Sequence, residues 1–271
     1  MKTFINLIYL ITAVVLFTSC EKVIDVQVNT SASQLVIEGN ITNVRETQRI
    51  KVSRSVNYTE TNNFPAVTGA KVVVKDNVGN TWNFTHAGLG VYTFGPVRGI
   101  AGRTYNMTVT TNDNNTYTAS STMPAQVMVD SLSFTTLTFG GRTRKHVAVH
   151  YTDPRGVANY YRYILYRNGI ASKSIFVESD RLTDGNKIKD ELFPAGADDE
   201  DDQELETGDE ATVEAQCIDK YVFNFFFTLR QQKRGGPGGG VTPGNPPSNI
   251  SNGALGYFSA HTYQAIKITV P

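Results

Sequence analysis

Ala70-Lys71-Val72-Val73-Val74-Lys75-Asp76, then Asn77-Val78-Gly79-Asn80, then Thr81-Trp82-Asn83-Phe84-Thr85 is the stretch that decides the fold. Its first segment is rich in β-branched residues, which suit a pleated, half-buried surface. Asn and Gly in the middle supply a turn. The last segment alternates, with Trp82 and Phe84 on one side, the period of a strand. The same signature recurs on both sides. Gln34 to Ile41 is apolar and carries Gly39-Asn40, and Gln48 to Val56 puts Ile50 and Val52 on one face. Gly90-Val91-Tyr92-Thr93-Phe94 follows the hairpin, Thr104 to Thr111 turns Tyr105, Met107 and Val109 inward, and Thr116 to Thr122 closes the set. Short runs at close spacing, divided by turn residues, predict a β-sandwich over residues 34–124, with Met123-Pro124-Ala125 as a hinge.

The second half, residues 125–271, reads as a second sandwich. Asp130-Ser131-Leu132-Ser133-Phe134, Lys145 to Tyr151 and Asn159 to Tyr166 are strand-like, and Asp153-Pro154-Arg155-Gly156 is a turn. From about residue 179 to 210 the pattern breaks. Nine of the thirteen positions from Asp198 to Glu210 are acidic, so a solvated acidic loop is expected over about 195–210. Thr212 to Cys217 alternates as a strand. A helix is expected over about 219–232, with Asp219 as its N-cap and Val222, Phe225, Phe226 and Leu229 as its apolar stripe. A Gly/Pro-rich loop over about 235–249 precedes two final strands. The fold class is mainly β: two Ig-like β-sandwich domains, the second with one short α-helix and long loop insertions.

The N-terminus carries a different signal. Lys2 is followed by an uncharged apolar run from Ile5 to Phe17, shorter than the ~20 residues that span a bilayer. It ends at Phe17-Thr18-Ser19-Cys20, which resembles a lipobox with Phe17 in place of Leu and Ser19 in place of Gly or Ala. Residues 1–19 are therefore read as a signal peptide, Cys20 as the lipidated residue and residues 20–33 as a tether. Several acyl chains at about 0.8 kcal/mol per buried CH₂ give stable anchoring. Glu21, rather than Asp, after the cysteine favours the outer membrane over inner-membrane retention.

Composition narrows the chemistry. Lys and Arg number 25 and so do Asp and Glu, so no basic excess exists to hold a phosphate backbone and nucleic-acid binding is not expected. With Cys20 lipidated, Cys217 has no partner and reads as a small buried hydrophobe. His146 and His150 share a strand face, but four residues of strand separate their Cα atoms by about 13 Å, too far to chelate one ion. Asp198, Asp199, Asp201 and Asp202 offer hard oxygen ligands without the spacing of a calcium loop, and Asp184-Gly185-Asn186 is an incomplete one. No Gly-x-Ser-x-Gly elbow is present. Tyr160, Tyr161, Tyr163, Tyr166, Tyr257 and Tyr263 could stack a glycan or peptide, although strand tyrosines more often pack in sheets. No residue is assigned as catalytic, cofactor-binding or metal-ligating, and no cofactor is expected.

Two resemblances add to this. Pro65 to Val74, Gly79, Gly90-Val91-Tyr92 and Gly99-Ile100-Ala101-Gly102-Arg103-Thr104-Tyr105 resemble a carboxypeptidase-regulatory or transthyretin-like sandwich. Asn159-Tyr160-Tyr161-Arg162, Cys217-Ile218-Asp219-Lys220, Asn245-Pro246-Pro247-Ser248-Asn249-Ile250 and Leu255-Gly256-Tyr257-Phe258-Ser259-Ala260 occur in that order. With the lipobox they resemble the domain-of-unknown-function 4249 lipoproteins of the Bacteroidota. That resemblance implies a non-catalytic outer-membrane lipoprotein, accessory to a TonB-dependent transporter in nutrient capture. The alternatives are a free-standing surface module for a glycan or peptide, marked by tyrosines on one exposed rim, and a hydrolase. A hydrolase would need His146, His150 or His261 to converge with carboxylates in a pocket.

Overall fold

In the computed structural model, which describes residues 33–57, 60–61, 63–139, 141–193, 204–233 and 244–271, the first half of the chain builds seven strands. They are β1 (Leu35–Thr42), β2 (Glu46–Arg54), β3 (Lys71–Asp76), β4 (Thr81–Gly88), β5 (Val91–Val97), β6 (Thr104–Thr110) and β7 (Thr116–Thr122). The quoted hairpin is β3–β4, and Asp76 closes it. One carboxylate oxygen accepts the N–H groups of Val78 (3.1 Å) and Asn80 (2.7 Å). The other accepts the Asn80 side-chain amide (2.7 Å) and the Arg103 guanidinium (2.8 Å). Burial pushes this carboxyl up, but the donors from Asn80, Arg103 and Val78 outweigh it and hold the group below its usual range.

β4 changes partner along its length. Phe84 and the residues before it pair with β3, whereas Thr85 and His86 pair with β5. Two layers result, β1-β2-β5-β4 and β4-β3-β6-β7. Ile37, Ile41, Ile50 and Val52 from the first meet Val72, Val74, Met107 and Val109 from the second. Tyr92, fully buried, ties the segment before β3 to this core. Its hydroxyl accepts from Ala70 N and donates to Val67 O, both at 2.9 Å.

The second half adds β8 (Val129–Phe139), β9 (Arg142–Thr152), β10 (Tyr160–Arg167), β11 (Ile170–Ala171), β12 (Phe176–Ser179), β13 (Lys187–Glu191), β14 (Glu210–Cys217), α1 (Lys220–Lys233) and β15 (Leu255–Thr269). β15 also serves two partners. Leu255 to His261 runs parallel to β1, and Thr262 to Thr269 runs antiparallel to β14. One twelve-stranded sheet therefore follows the path β11-β10-β14-β15-β1-β2-β5-β4-β3-β6-β7, with β12 beside β10 as its twelfth strand, and β13-β9-β8 forms a separate three-stranded sheet. Val147, Val149 and Tyr151 of β9 pack against Tyr161, Tyr163 and Val213 of the facing sheet. Asp219 caps α1 by accepting from Tyr221 N (2.8 Å) and Val222 N (3.0 Å). The helix buries Val222 and Phe226 over Val177 and Ile218 on the outer face of that sheet.

The mainly-β class expected from the sequence, with large sheets and a single helix among the described residues, is the class observed. The boundary expected at 124/125 falls between β7 and β8. Residues 33–271 form one compact unit, because β15 completes the first sandwich through β1 and the second through β14. One expectation is corrected: within the break expected from about 179 to 210, Lys187–Glu191 forms β13, the outer partner of β9. Residues 204–209 are loop and turn, mostly exposed but fixed at a few points. Leu205 joins the core, Asp209 pairs with Arg167 at 2.6 Å and Glu210 opens β14 and pairs with Lys267 at 2.8 Å. The Asn249 side chain explains part of the Asn-Pro-Pro-Ser-Asn-Ile segment. It bonds to both the N–H (2.9 Å) and the carbonyl (2.7 Å) of Phe258, on β15.

Candidate functional site

Four strands of the second sandwich end or begin at one place. In the three-stranded sheet, Thr152 at the end of β9 pairs with Lys187 at the start of β13. In the facing sheet, Ser179 at the end of β12 pairs with Tyr160 at the start of β10. The loops 153–159 and 180–186 thus meet across the two sheets. Turn residues shape both: Gly156 and Gly185 have φ of +78° and +73°, a region open to glycine without a Cβ clash.

Each loop holds the other through an aspartate. Gly185 N donates to Asp153 Oδ2 at 3.0 Å, and Gly156 N donates to Asp184 Oδ1 at 2.7 Å. Asp180 turns back to accept Asn159 N at 2.7 Å. Tyr161 reaches from β10 to donate to Asp153 Oδ1 at 2.5 Å. One carboxylate oxygen from each of Asp153, Asp180 and Asp184 lies within 4.8 Å of the others; the first two residues are buried and Asp184 is exposed. Burial, followed by the negative charges of Asp153 and Asp184, raises the Asp180 carboxyl, against a hydrogen bond from Asn159 that lowers it. Val157 and Leu182 expose most of their side chains on these same loops.

The residues singled out in the sequence lie elsewhere, except Asp184 and Tyr161. Cys20 and the acidic residues 198–202 lie outside the described residues. His146 is buried on β9 against Phe193, and burial lowers its pKa. His150 bonds to Ser133 Oγ at 2.7 Å, on the same small sheet. His261 is buried on β15 beside Ser259 Oγ, 3.0 Å away. These three histidines do not meet. Cys217 is buried and its sulfur accepts Val127 N at 3.3 Å; burial pushes the thiol up, as for an inert core cysteine.

The six tyrosines disperse as well. Tyr163 donates to the half-buried Asp190 at 2.7 Å, alongside Tyr151 at 2.9 Å, so it and Tyr161 serve carboxylates of the second sandwich. Tyr160 packs at a tilt against Phe223, and Tyr257 meets Phe225 at a tilt and Phe226 edge-on, beneath the helix. Tyr166 and Tyr263 remain half-buried on the outer sheet face, near Glu214, Gln216 and Arg162. Arg162 donates to Gln216 at 3.0 Å and lies 4.0 Å above the Phe226 ring. Asp153 and Asp180 were not singled out in the sequence as a pair; their only sign there is a turn-forming Asp in each loop.

Comparison with known families gives one finding that covers nearly the whole described chain. The model of a domain of unknown function, DUF4249, matches residues 21–267. No curated protein matches this sequence.

Proposed function

The chain belongs to the DUF4249 family, and from that premise we propose that it is a non-catalytic outer-membrane lipoprotein, held by a lipid on Cys20 and accessory to a TonB-dependent transporter in nutrient capture. The reading includes a Bacteroidota setting, cleavage of residues 1–19 and a carboxypeptidase-regulatory-like first sandwich.

The observation that carries the anchoring is where the tether would join the fold. Ser33 and Gln34 are fixed to Ser55 by bonds of 2.8 and 2.9 Å, and the chain then enters β1. β1 is an interior strand, bonded to β15 on one side and β2 on the other. A load on the N-terminus is therefore spread over two ladders in the middle of the sheet, and through β15 it reaches both sandwiches. An edge strand would peel one bond at a time. This suits a body suspended from its N-terminus beside a membrane-embedded partner.

The test is fractionation followed by capture. Cys20→Ala is expected to move the protein from the membrane to the soluble fraction, and continued anchoring would overturn the lipoprotein reading. A mild-detergent pull-down of the lipidated protein is expected to bring a TonB-dependent barrel in stoichiometric amount. Recovery of the folded, lipidated protein alone would turn the reading to a free-standing surface module for a glycan or peptide. One observation favours that second reading: Tyr166, Tyr263, Glu214, Gln216 and Arg162 lie on one outer sheet face.

A further inference from the structure

We propose that Asp153, Asp180 and Asp184, together with the side-chain oxygen of Asn159, form a divalent-cation site, and that calcium is the ion it takes. The site is independent of the anchoring and transporter readings.

The charge balance points to a cation. Three carboxylates converge within 4.8 Å, and among the described residues none of them takes a salt bridge. Gathering such charges at a partly buried position is costly unless a counter-charge joins them. Four of the six oxygens are occupied by one donor each: Asp153 by Tyr161 and Gly185, Asp180 by Asn159 N, Asp184 by Gly156. Asp180 Oδ1 and Asp184 Oδ2 accept nothing from the described residues, and every carboxylate oxygen keeps a further lone pair.

Asn159 supplies an independent observation. It is only 4% exposed, and its side-chain Oδ1 has no hydrogen-bond partner. Buried amide oxygens are rarely left so. Its direction follows from the strand geometry. Where β10 and β12 begin to pair, Asp180 N donates to Asn159 O at 3.2 Å and Asn159 N donates to the Asp180 carboxylate at 2.7 Å, so the two residues are held side by side. Asn159 also lies two residues before Tyr161, and residues two apart in a strand face the same way. Tyr161 is the side chain that reaches Asp153. The orphan oxygen therefore projects on the side of the sheet where the carboxylates gather.

The donor set selects the metal. All four candidate ligands are hard oxygens, with no thiol or imidazole among them, which suits calcium or magnesium rather than zinc. Calcium–oxygen bonds of about 2.3–2.6 Å allow ligands up to about 5 Å apart around one ion, and calcium accepts irregular geometry from flexible loops. Magnesium, at about 2.0–2.1 Å, demands a tighter octahedron and retains its waters. A bound ion would tie loop 153–159 to loop 180–186 and so join the two sheets at that end.

The test uses the full-length lipoprotein in mild detergent, stripped with EDTA and titrated with calcium chloride alone by calorimetry, with melting temperature as a second readout. One saturable site and a calcium-dependent rise in melting temperature are expected, with magnesium chloride binding at least about tenfold more weakly. Asp184→Asn keeps an oxygen for the Gly156 N–H on an exposed side chain, so the variant should fold. It is expected to lower calcium affinity at least about tenfold, and Asp180→Asn likewise. Replacing Asp198, Asp199, Asp201 and Asp202 together by Asn is expected to leave the site intact. No saturable binding by folded wild-type protein would overturn the proposal. So would binding that survives Asp184→Asn unchanged, or that disappears with the four acidic-run replacements.

Discussion

The Asp153 carboxylate accepts the backbone N–H of Gly185 at 3.0 Å, and the reciprocal bond from Gly156 N to Asp184 closes at 2.7 Å. The two loops are thus clasped twice, each offering an aspartate to the other's glycine. Because each loop crosses from one sheet to the other, 153–159 from β9 to β10 and 180–186 from β12 to β13, the clasp sets how that end of the second sandwich closes.

Gly185→Ala tests this clasp. A Cβ there would lie 2.9 Å from Arg155 Cβ, on a residue with φ of +73°. The left-handed conformation alone costs a non-glycine residue about 1–2 kcal/mol. Denaturant unfolding is expected to show a loss of that size at unchanged slope. A loss below about 0.5 kcal/mol would mean that the loop relaxes and that the clasp contributes little.

Asp76 predicts an acid-sensitive hairpin. Its carboxyl is held below its usual range in the folded protein by donors that are absent from the unfolded chain. A depressed carboxyl stabilises fully above its unfolded value near 3.8 and loses that contribution as pH falls toward the folded value. Asp76→Ala is expected to cost about 2–4 kcal/mol at pH 7. The gap between variant and wild type should narrow below about pH 4, measured by chemical denaturation across that range.

These two cases differ in how legible they were. The β3–β4 hairpin can be read in sequence because Val72, Val74, Trp82 and Phe84 alternate locally around a turn. β13 cannot, because Lys187-Ile188-Lys189-Asp190-Glu191 has one apolar residue; it is a strand only because β9 presents a ladder to it. Its half-buried Asp190 is accommodated by donors from Tyr151 and Tyr163. The cluster at Asp153 and Asp180 was hidden for a similar reason. Its members lie on separate loops, and the β9–β13 and β10–β12 pairings bring them together. The joining of the two sandwiches by β15 was equally non-local, since nothing near residue 255 announces a parallel partner at residue 36.

Gly256 is where that joining is most constrained. It has φ of +93°, and a Cβ at this position would fall 2.1 Å from the Ile37 carbonyl oxygen. Backbone cannot yield as a flexible side chain can. Gly256→Ala is expected to destabilise by about 3 kcal/mol or more, combining left-handed strain with overpacking. Amide hydrogen exchange should show the β1–β15 ladder opening first. Uniform exchange over both sandwiches would instead mean that they unfold as one, with no weak seam at β15.

The helix stripe predicts unequal losses at neighbouring phenylalanines. Phe226 is buried, packs on Tyr257 and carries Arg162 above its ring, whereas Phe225 is only partly buried. Phe226→Ala is expected to cost about 3–5 kcal/mol. Phe225→Ala should cost about 1–2 kcal/mol, in line with its smaller buried area. Equal losses in thermal or urea unfolding would show that α1 shifts to bury Phe225 once its neighbour is gone.

His261 gives a pH dependence whose sign follows from burial. Burial pushes its pKa down to about 3, the positive charge of Arg162 acts in the same direction, and a hydrogen bond with Ser259 opposes both. In the unfolded chain the value is near 6.5. Between those limits the unfolded chain binds a proton that the folded protein refuses. This contribution is therefore complete above about pH 6.5 and is lost as pH falls, by at most about 1.4 kcal/mol per pH unit. The half-buried Asp190 and Asp219, raised by desolvation, act with the opposite sign, so the informative quantity is a difference between proteins. Wild type and His261→Gln should be unfolded in denaturant at pH 7 and pH 5. The wild type is expected to lose about 2 kcal/mol more than the variant over that interval, because glutamine does not titrate. Equal losses would mean that His261 takes up its proton in the folded protein, with Arg162 or the helix above it moving aside to admit the charge.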